Sequence, residues 1–501
     1  MSDDAEPGLS RRQLIAAGTT GLIATAAVPP AAGASRRRPR AADGTPEQIH
    51  LTWGDDPARS VVVSWSSPGQ AVAPRVRIGQ RVIAAVERGD AGPRGDGVGW
   101  TYHALVDGLR PDATYGYAVT ADNDRNAADP FSATFRTAPE GRAAFRFTSF
   151  GDLTAPGARR PGWSAQSAYA AGAVETFQPL FHLLNGDLAD AGPHPAAALR
   201  ARRDLADNLQ ASTASRPWLP VPGDHEAEPA DRERALRSYL ARYSLPGNGV
   251  PGFEGRWYGF RVGTAAFLCL SGDDVRRGYS GGAQTRWLEA ALAAARRDAS
   301  IDWVVIQLHQ SACPTTGDGA DDDAGLGIRR QWLPLFDRYE VDLVLCGHSR
   351  GYERSFPVRG FDSAGTLRLR PVTTVDSGVF DTSQGTVHLV LGGGDAGPAG
   401  AGDSGAGDSG AGGAGTVEEA AWSARRDAGT GYGVAVFDVN PGAKAGAQTS
   451  ITVSYYHAVD AGPGDAGAAD DYALFDTFTL VRPRSDGRRW HPREPLAFNL
   501  A

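Results

Sequence analysis

Five short segments of the chain carry side chains able to bind a metal: Gly151-Asp152, Gly186-Asp187, Gly223-Asp224-His225-Glu226, His309 and Gly347-His348. Each follows an apolar run of strand-like composition. Carboxylates together with imidazoles suit a hard to borderline divalent or trivalent cation, and a shared carboxylate can bridge two ions. A single Gly-Asp after a strand reads as a turn, and a lone histidine as a core residue. Five in order, each at the end of an apolar run, read as one site, because the carboxyl ends of strands in an open α/β sheet form the ligand crevice.

The elements that must present these residues are legible as strands at Phe145–Phe150, Leu180–Leu184, Trp218–Val221, Ala265–Leu270, Trp303–Leu308, Val341–Leu345 and Val387–Leu391. Helical stretches alternate with them, among them Thr285–Arg297, which sets Trp287, Leu288, Leu292 and Ala295 on one face. Such alternation indicates a layered α/β domain over 143–485. Further strands at Tyr432–Val439, Thr449–Tyr456 and Thr477–Val481 are expected to close its sheets. Half of the residues in 392–415 are glycine, which leaves too little side chain to pack, so this segment reads as a flexible insertion. Residues 486–501 read as a tail.

Before this domain, residues 45–139 hold short strands separated by Gly, Pro and Asp turns, the pattern of an all-β sandwich. The run Leu109-Arg110-Pro111-Asp112-Ala113-Thr114-Tyr115 resembles the corner of a fibronectin type III domain. Residues 1–34 combine Arg11-Arg12, a short apolar stretch from Leu14 to Val28 and the small residues Ala32-Gly33-Ala34. That is the twin-arginine export pattern, followed by a linker over 35–44. Export predicts a secreted, extracellular protein with no membrane association once the signal is cleaved.

The whole chain has 501 residues and a formal charge of −8, which gives no sign of a nucleic-acid polymer as partner. Three cysteines, Cys269, Cys313 and Cys346, are too few for a disulfide framework; Cys269 and Cys346 read as core residues, with room for one incidental bridge.

Taken as a set, Phe150-Gly151-Asp152, Asn185-Gly186-Asp187-Leu188, Val221-Pro222-Gly223-Asp224-His225-Glu226, Leu308-His309 and Val344-Leu345-Cys346-Gly347-His348 with Tyr352-Glu353-Arg354 resemble the purple acid phosphatase family of metallophosphoesterases. The likeness runs through nearly all of the chain beyond the export signal and looks closest to secreted actinobacterial members. It implies a fold of two mixed β-sheets flanked by helices, preceded by the fibronectin type III-like sandwich. It further implies a phosphatase acting on small-molecule phosphate monoesters by metal-activated hydroxide attack. The implied metals are Fe with Zn, Mn or Fe, one or two per chain. The first would take Asp152, the second Asp224, His309 and His348, with Asp187 bridging. His225 matches the family's imidazole near the substrate oxygens, and Glu226 is placed to orient it. Specificity would lie in the loops 153–170 and 311–328. The same core also serves phosphodiesterases and nucleotidases, or could survive as a non-catalytic scaffold.

Three positions depart from the family pattern. Asp190 stands where a tyrosinate binds the first metal, so the purple colour should be absent. Asp224 stands where an amide binds the second. Gly347-His348-Ser349-Arg350 replaces a Gly-His-x-His pattern, and Arg350, always protonated, has no lone pair for a metal. Its guanidinium is expected to pair with Asp152 or Asp190 near the first metal's place, or to bind the substrate phosphate.

Overall fold

A computed structural model describes residues 9–10, 43–88, 100–153, 165–188, 195–224, 226, 232–312, 323–361, 369–392, 420–427, 433–458 and 471–493. The N-terminal part forms two four-stranded antiparallel sheets. One has the order β1 (Glu47–Thr52), β2 (Val61–Ser67), β6 (Trp100–Val106), β5 (Val86–Arg88). The other runs β4 (Arg81–Ala84), β3 (Arg75–Ile78), β7 (Thr114–Thr120), β8 (Phe131–Arg136). The fibronectin-like corner is present: the backbone N–H of Arg110 donates to Tyr115 Oη at 2.8 Å.

The second part is a sandwich of two mixed sheets. In the first, β9 (Phe145–Phe150) pairs in parallel with β10 (Phe181–Leu184), which pairs in parallel with β11 (Trp218–Pro220). The second sheet runs β12 (Tyr258–Val262), β13 (Ala265–Cys269), β14 (Trp303–Gln307), β15 (Leu343–Ser355), β19 (Val387–Gly392), with β13, β14 and the start of β15 parallel. Strands β16 (Val358–Phe361) and β17 (Leu369–Pro371) form a separate hairpin. Beside β9 the first sheet continues through β21 (Gly433–Asn440), β22 (Gln448–Ala458) and β23 (Asp471–Pro483), while β18 (Val379–Asp381) flanks β23 and β20 (Ser423–Asp427) flanks β15.

Period-two alternation explains why these strands read as continuous apolar runs. Trp303 and Val305 of β14 face the opposite sheet, whereas Val304 and Ile306 face the helical layer that includes Leu288 and Leu292 of the helix Ala283–Arg297. Phe147 and Phe181 meet Phe267 across the sandwich with ring centroids at 5.2 and 5.3 Å. On the far side, helices Ala165–Phe177 and Pro195–Thr213 cover Phe150 and Leu184. The N-terminal sandwich joins the same core, since Trp53 lies 4.8 Å from Phe181 and 5.6 Å from Phe260.

Two expectations need revision. The strand expected to end at Leu345 continues to Ser355 around a turn. Its register with β19 rises to Cys346 opposite Val390, then reverses through Tyr352 opposite Leu391 and Arg354 opposite Leu389. The segment read as a tail is tied down at its start, because Arg488 and Arg493 both pair with Glu340. Cys269 and Cys346 are buried free thiols and form no bridge. The export segment apart from Leu9–Ser10, the insertion beyond Gly392, and Cys313 lie outside the described residues. Leu9–Ser10 pairs with Tyr472 and Asp471 at the sheet edge. Among the described residues no helix is long and apolar enough to cross a membrane.

Candidate metal centre

The carboxyl ends of β9, β10, β11 and β14, and the turn within β15, deliver Asp152, Asp187, Asp224, His309 and His348 to one rim. The backbone there is forced. Asp152, Asp187 and His348 have φ of 61°, 50° and 67°, in the left-handed region that non-glycine residues avoid. Each follows a glycine, and the sites at 186, 223 and 347 tolerate nothing larger. A Cβ on Gly186 would lie 2.6 Å from His309 Nδ1, one on Gly223 would strike Asp187, and one on Gly347 would strike Asp152.

Four of these side chains converge: ligand atoms of Asp187, Asp224, His309 and His348 all lie within 4.8 Å of one another. His309 Nε2 is 2.7 Å from Asp224 Oδ1 and 3.1 Å from Asp187 Oδ2. His348 Nδ1 is 3.1 Å from Asp224 Oδ1 and 3.3 Å from His309 Nε2. The other ring nitrogen of His309 donates to the Asn185 carbonyl at 2.8 Å, which leaves Nε2 to face the cluster. Asp152 stands just outside this group and accepts the His348 backbone N–H on both oxygens at 3.0 Å.

Electrostatics follow from crowding these groups together. Burial pushes the Asp152 carboxyl up to about 7, with the Asp187 charge adding to it and His309 opposing. Burial alone would lower His309, yet Asp187 and Asp224 hold it well above the ordinary histidine value. For Asp224 the hydrogen bonds from His309 and His348 overcome burial and hold the carboxyl far below its usual range. Two carboxylates and two imidazoles with converging ligand atoms, and a third carboxylate, Asp152, just outside, are a set that a divalent cation fits: oxygen and nitrogen ligands of borderline hardness, and excess negative charge.

Glu226 is buried between two loops of the site. Its carboxylate accepts three backbone N–H groups, from Gly223 at 2.9 Å, Leu188 at 3.0 Å and Asp187 at 3.1 Å. It therefore ties the loop of Asp187 to that of Asp224. Burial, and then the charge of Asp187, raise its own carboxyl above the usual range. His225 and Asp190 lie outside the described residues. Arg350 is placed by its backbone opposite Gly392, and its side chain is outside the described part.

Two supporting residues carry no role in the sequence reading. Gln307 donates to the carbonyls of Leu184 and Leu219 at 3.0 and 3.1 Å and to Asn185 Oδ1 at 3.2 Å, so it stitches the two sheets beneath the site. Asn185 accepts from Ser149 at 3.1 Å and holds His309 through its carbonyl. The signal was available for Gln307, a polar residue in the buried run Trp-Val-Val-Ile-Gln, since a buried amide must find partners.

The description of the N-terminal domain of purple acid phosphatases matches residues 46–137, and that of calcineurin-like phosphoesterases matches residues 145–351. An uncharacterised protein of Mycobacterium tuberculosis is 35% identical, with 96% of this chain and 98% of that one aligned. The Fe(3+)-Zn(2+) purple acid phosphatase 12 of Arabidopsis thaliana is 23% identical over 62% of this chain and 65% of its own. Purple acid phosphatase PPD1 from yellow lupin seeds, a solved structure, superposes with a TM-score of 0.64 at 18% identity, covering 91% of this chain and 78% of the lupin chain. The fold is shared.

Proposed function

The chain belongs to the purple acid phosphatase family of metallophosphoesterases, a family of phosphoester hydrolases, and from this premise we propose that it is an exported, metal-dependent phosphatase acting on small-molecule phosphate monoesters. The observation that carries the reading is the convergence of Asp187, Asp224, His309 and His348, from three strand ends and the turn within β15, within 4.8 Å. A metal ion held there supplies Lewis-acid polarisation of a phosphate oxygen and activation of water.

The chain's own residues do the rest. Asn185 fixes the tautomer of His309 by accepting its Nδ1–H, so that Nε2 is the nitrogen offered to the metal. Glu226 holds the Asp187 and Asp224 loops in register through three N–H groups. His225, next to Asp224, is assigned the proton donated to the leaving alcohol. The metal at this centre is proposed to be Fe, Zn or Mn, the first two being those in the name of the Arabidopsis relative. Asp152 and Asp187 offer carboxylates to a second ion, but Arg350 stands at the position of a family ligand and adds a fixed positive charge. The site with four donors is therefore expected to be the better filled of the two.

Export rests on Arg11-Arg12 and the short apolar stretch after it. Replacing both arginines by lysine should retain the protein inside the cell, and unchanged export of that variant would remove the twin-arginine reading. For the activity, hydrolysis of an aryl phosphate monoester should be abolished by a chelator and restored by metal, with the corresponding diester turned over more slowly. Faster cleavage of the diester would move the assignment to a phosphodiesterase.

A further inference from the structure

At the opposite end of the second sheet lies a cleft of about 350 Å³ whose walls are strongly basic. Arg296 and Arg297, from the last turn of the helix Ala283–Arg297, form one wall, and Arg482, Arg488 and Arg489 the other. Among the described residues no acidic side chain lines it. Beneath lie Asp342 and Glu340, both buried, and beside them Asp302, also buried, whose carboxylate is taken by Arg142 and the backbone N–H of Ser485. Asp342 pairs with Arg296 at 2.6 Å and also with Arg482. Glu340 pairs with Arg488 at 2.6 Å and with Arg482 and Arg493 at 3.4 Å.

The charge is not balanced. Four arginines already share those two carboxylates, and Arg297 and Arg489 are exposed and make no ion pair among the described residues. The helix dipole offsets part of the charge of Arg297, but Arg488 and Arg489 come from the other wall and gain nothing from it. The lining is also rich in unmatched donors: among the described residues, Arg482 Nε and the indole N–H of Trp490 are both buried without an acceptor. An arginine-lined space with donors to spare, whose described lining holds no carboxylate and whose acceptor side chains are Ser485 and His491, is complementary to an anionic ligand rich in acceptors.

We propose that this cleft is a second, non-catalytic binding site for a phosphate-class oxyanion. It is separate from the metal centre. Trp303, at the start of β14, follows Asp302, whose carbonyl binds Arg296, whereas His309 follows the far end of that strand. Six residues of extended chain place the two sites roughly 20 Å apart. The proposal stands on the cleft alone and does not depend on the catalytic reading.

The test is calorimetric titration of the full-length protein with inorganic phosphate, in the presence and absence of a chelator, for the wild type and for the double variant Arg297→Gln/Arg489→Gln. These two arginines hold no ion pair, so folding, checked by thermal melting, and monoester hydrolysis should both be unchanged. The expected result is a phosphate-binding event that survives chelation and weakens at least about tenfold in the double variant, with loss at high salt. A parallel titration with adenosine 5′-monophosphate assigns the source: tighter binding than phosphate means an esterified phosphate, weaker binding the free anion. Loss of all binding on chelation, or equal affinity of variant and wild type, would overturn the proposal.

Discussion

His309 donates its Nδ1–H to the carbonyl of Asn185 at 2.8 Å, and this one contact decides which nitrogen faces Asp187 and Asp224. The contact couples β14 to the end of β10, so the imidazole is aimed by the backbone of the other sheet. Replacing His309 by alanine should lower metal affinity by more than the 10- to 100-fold typical of supporting residues, and abolish hydrolysis. Metal titration and a monoester assay check this, and retained metal at wild-type affinity would contradict it.

Glu226 acts one step away from the cluster. Glu226→Gln keeps the shape but turns one acceptor oxygen into a donor facing backbone N–H groups, so at least one of three hydrogen bonds is lost. Metal affinity should fall about 10- to 100-fold while the protein stays folded. An unchanged affinity in a chelator-competition titration would show that the loops hold their register without it.

Proton competition gives the centre a definite pH dependence. Asp152 has a folded value of about 7, above the ordinary carboxylate value, and His309 is likewise raised. Both groups bind more protons folded than unfolded, so their contribution to metal-free stability is lost as pH rises, for Asp152 between roughly 4 and 7. Asp224 has the opposite sign, but its window lies below its ordinary value, at more acidic pH. Burial lowers His50, His103, His182 and His388 below the ordinary histidine value, which acts in the opposite sense at acid pH, so the test is a comparison: the chelated wild type should gain melting temperature relative to the chelated Asp152→Asn variant on going from pH 8 to pH 5, while metal affinity rises from pH 5 to pH 8 because metal displaces those protons. A difference between the two proteins that is the same at pH 5 and pH 8 would contradict the assignment.

Close approach at Gly223 offers a steric test. A Cβ there would collide with the Asp187 carboxylate and backbone, whereas one on Gly116 would meet nothing within 4 Å. Gly223→Ala should remove metal binding, and Gly116→Ala should leave metal binding intact. Equal metal content in both variants would mean that the Asp187 loop can shift freely.

Below the basic cleft, Asp342 is fully buried between Arg296 and Arg482. These arginines hold its carboxyl below the usual range against the effect of burial. Asp342→Ala leaves two guanidinium groups short of a partner and should destabilise the protein by about 3–5 kcal/mol. Denaturant unfolding measures this, and a loss under about 1 kcal/mol would show that Glu340 compensates.

Most of what positions the site could be read from local pattern. The apolar runs that end at Phe150 and near Leu184 and His309 are strands in the structure within one or two residues, because two-sided burial leaves a continuous apolar signal. The reversal of the chain at Gly347–Gly351 was not legible, since it depends on pairing with β19 some forty residues away and nothing in Tyr352-Glu353-Arg354 marks it. Nor was the place of Glu226. Its neighbour in sequence is His225, but its partners are the backbone N–H groups of Asp187 and Leu188, about forty positions earlier.

The central claim is that Asp187, Asp224, His309 and His348 hold a metal on which phosphatase activity depends. The most direct test is metal content per chain by mass spectrometry, measured beside aryl phosphate hydrolysis for the wild type, His309→Ala and Arg350→His. The account predicts about one metal with turnover in the wild type, loss of both in His309→Ala, and a second metal gained in Arg350→His. A wild-type protein that binds no metal, or that hydrolyses the monoester equally well after His309→Ala, would contradict it.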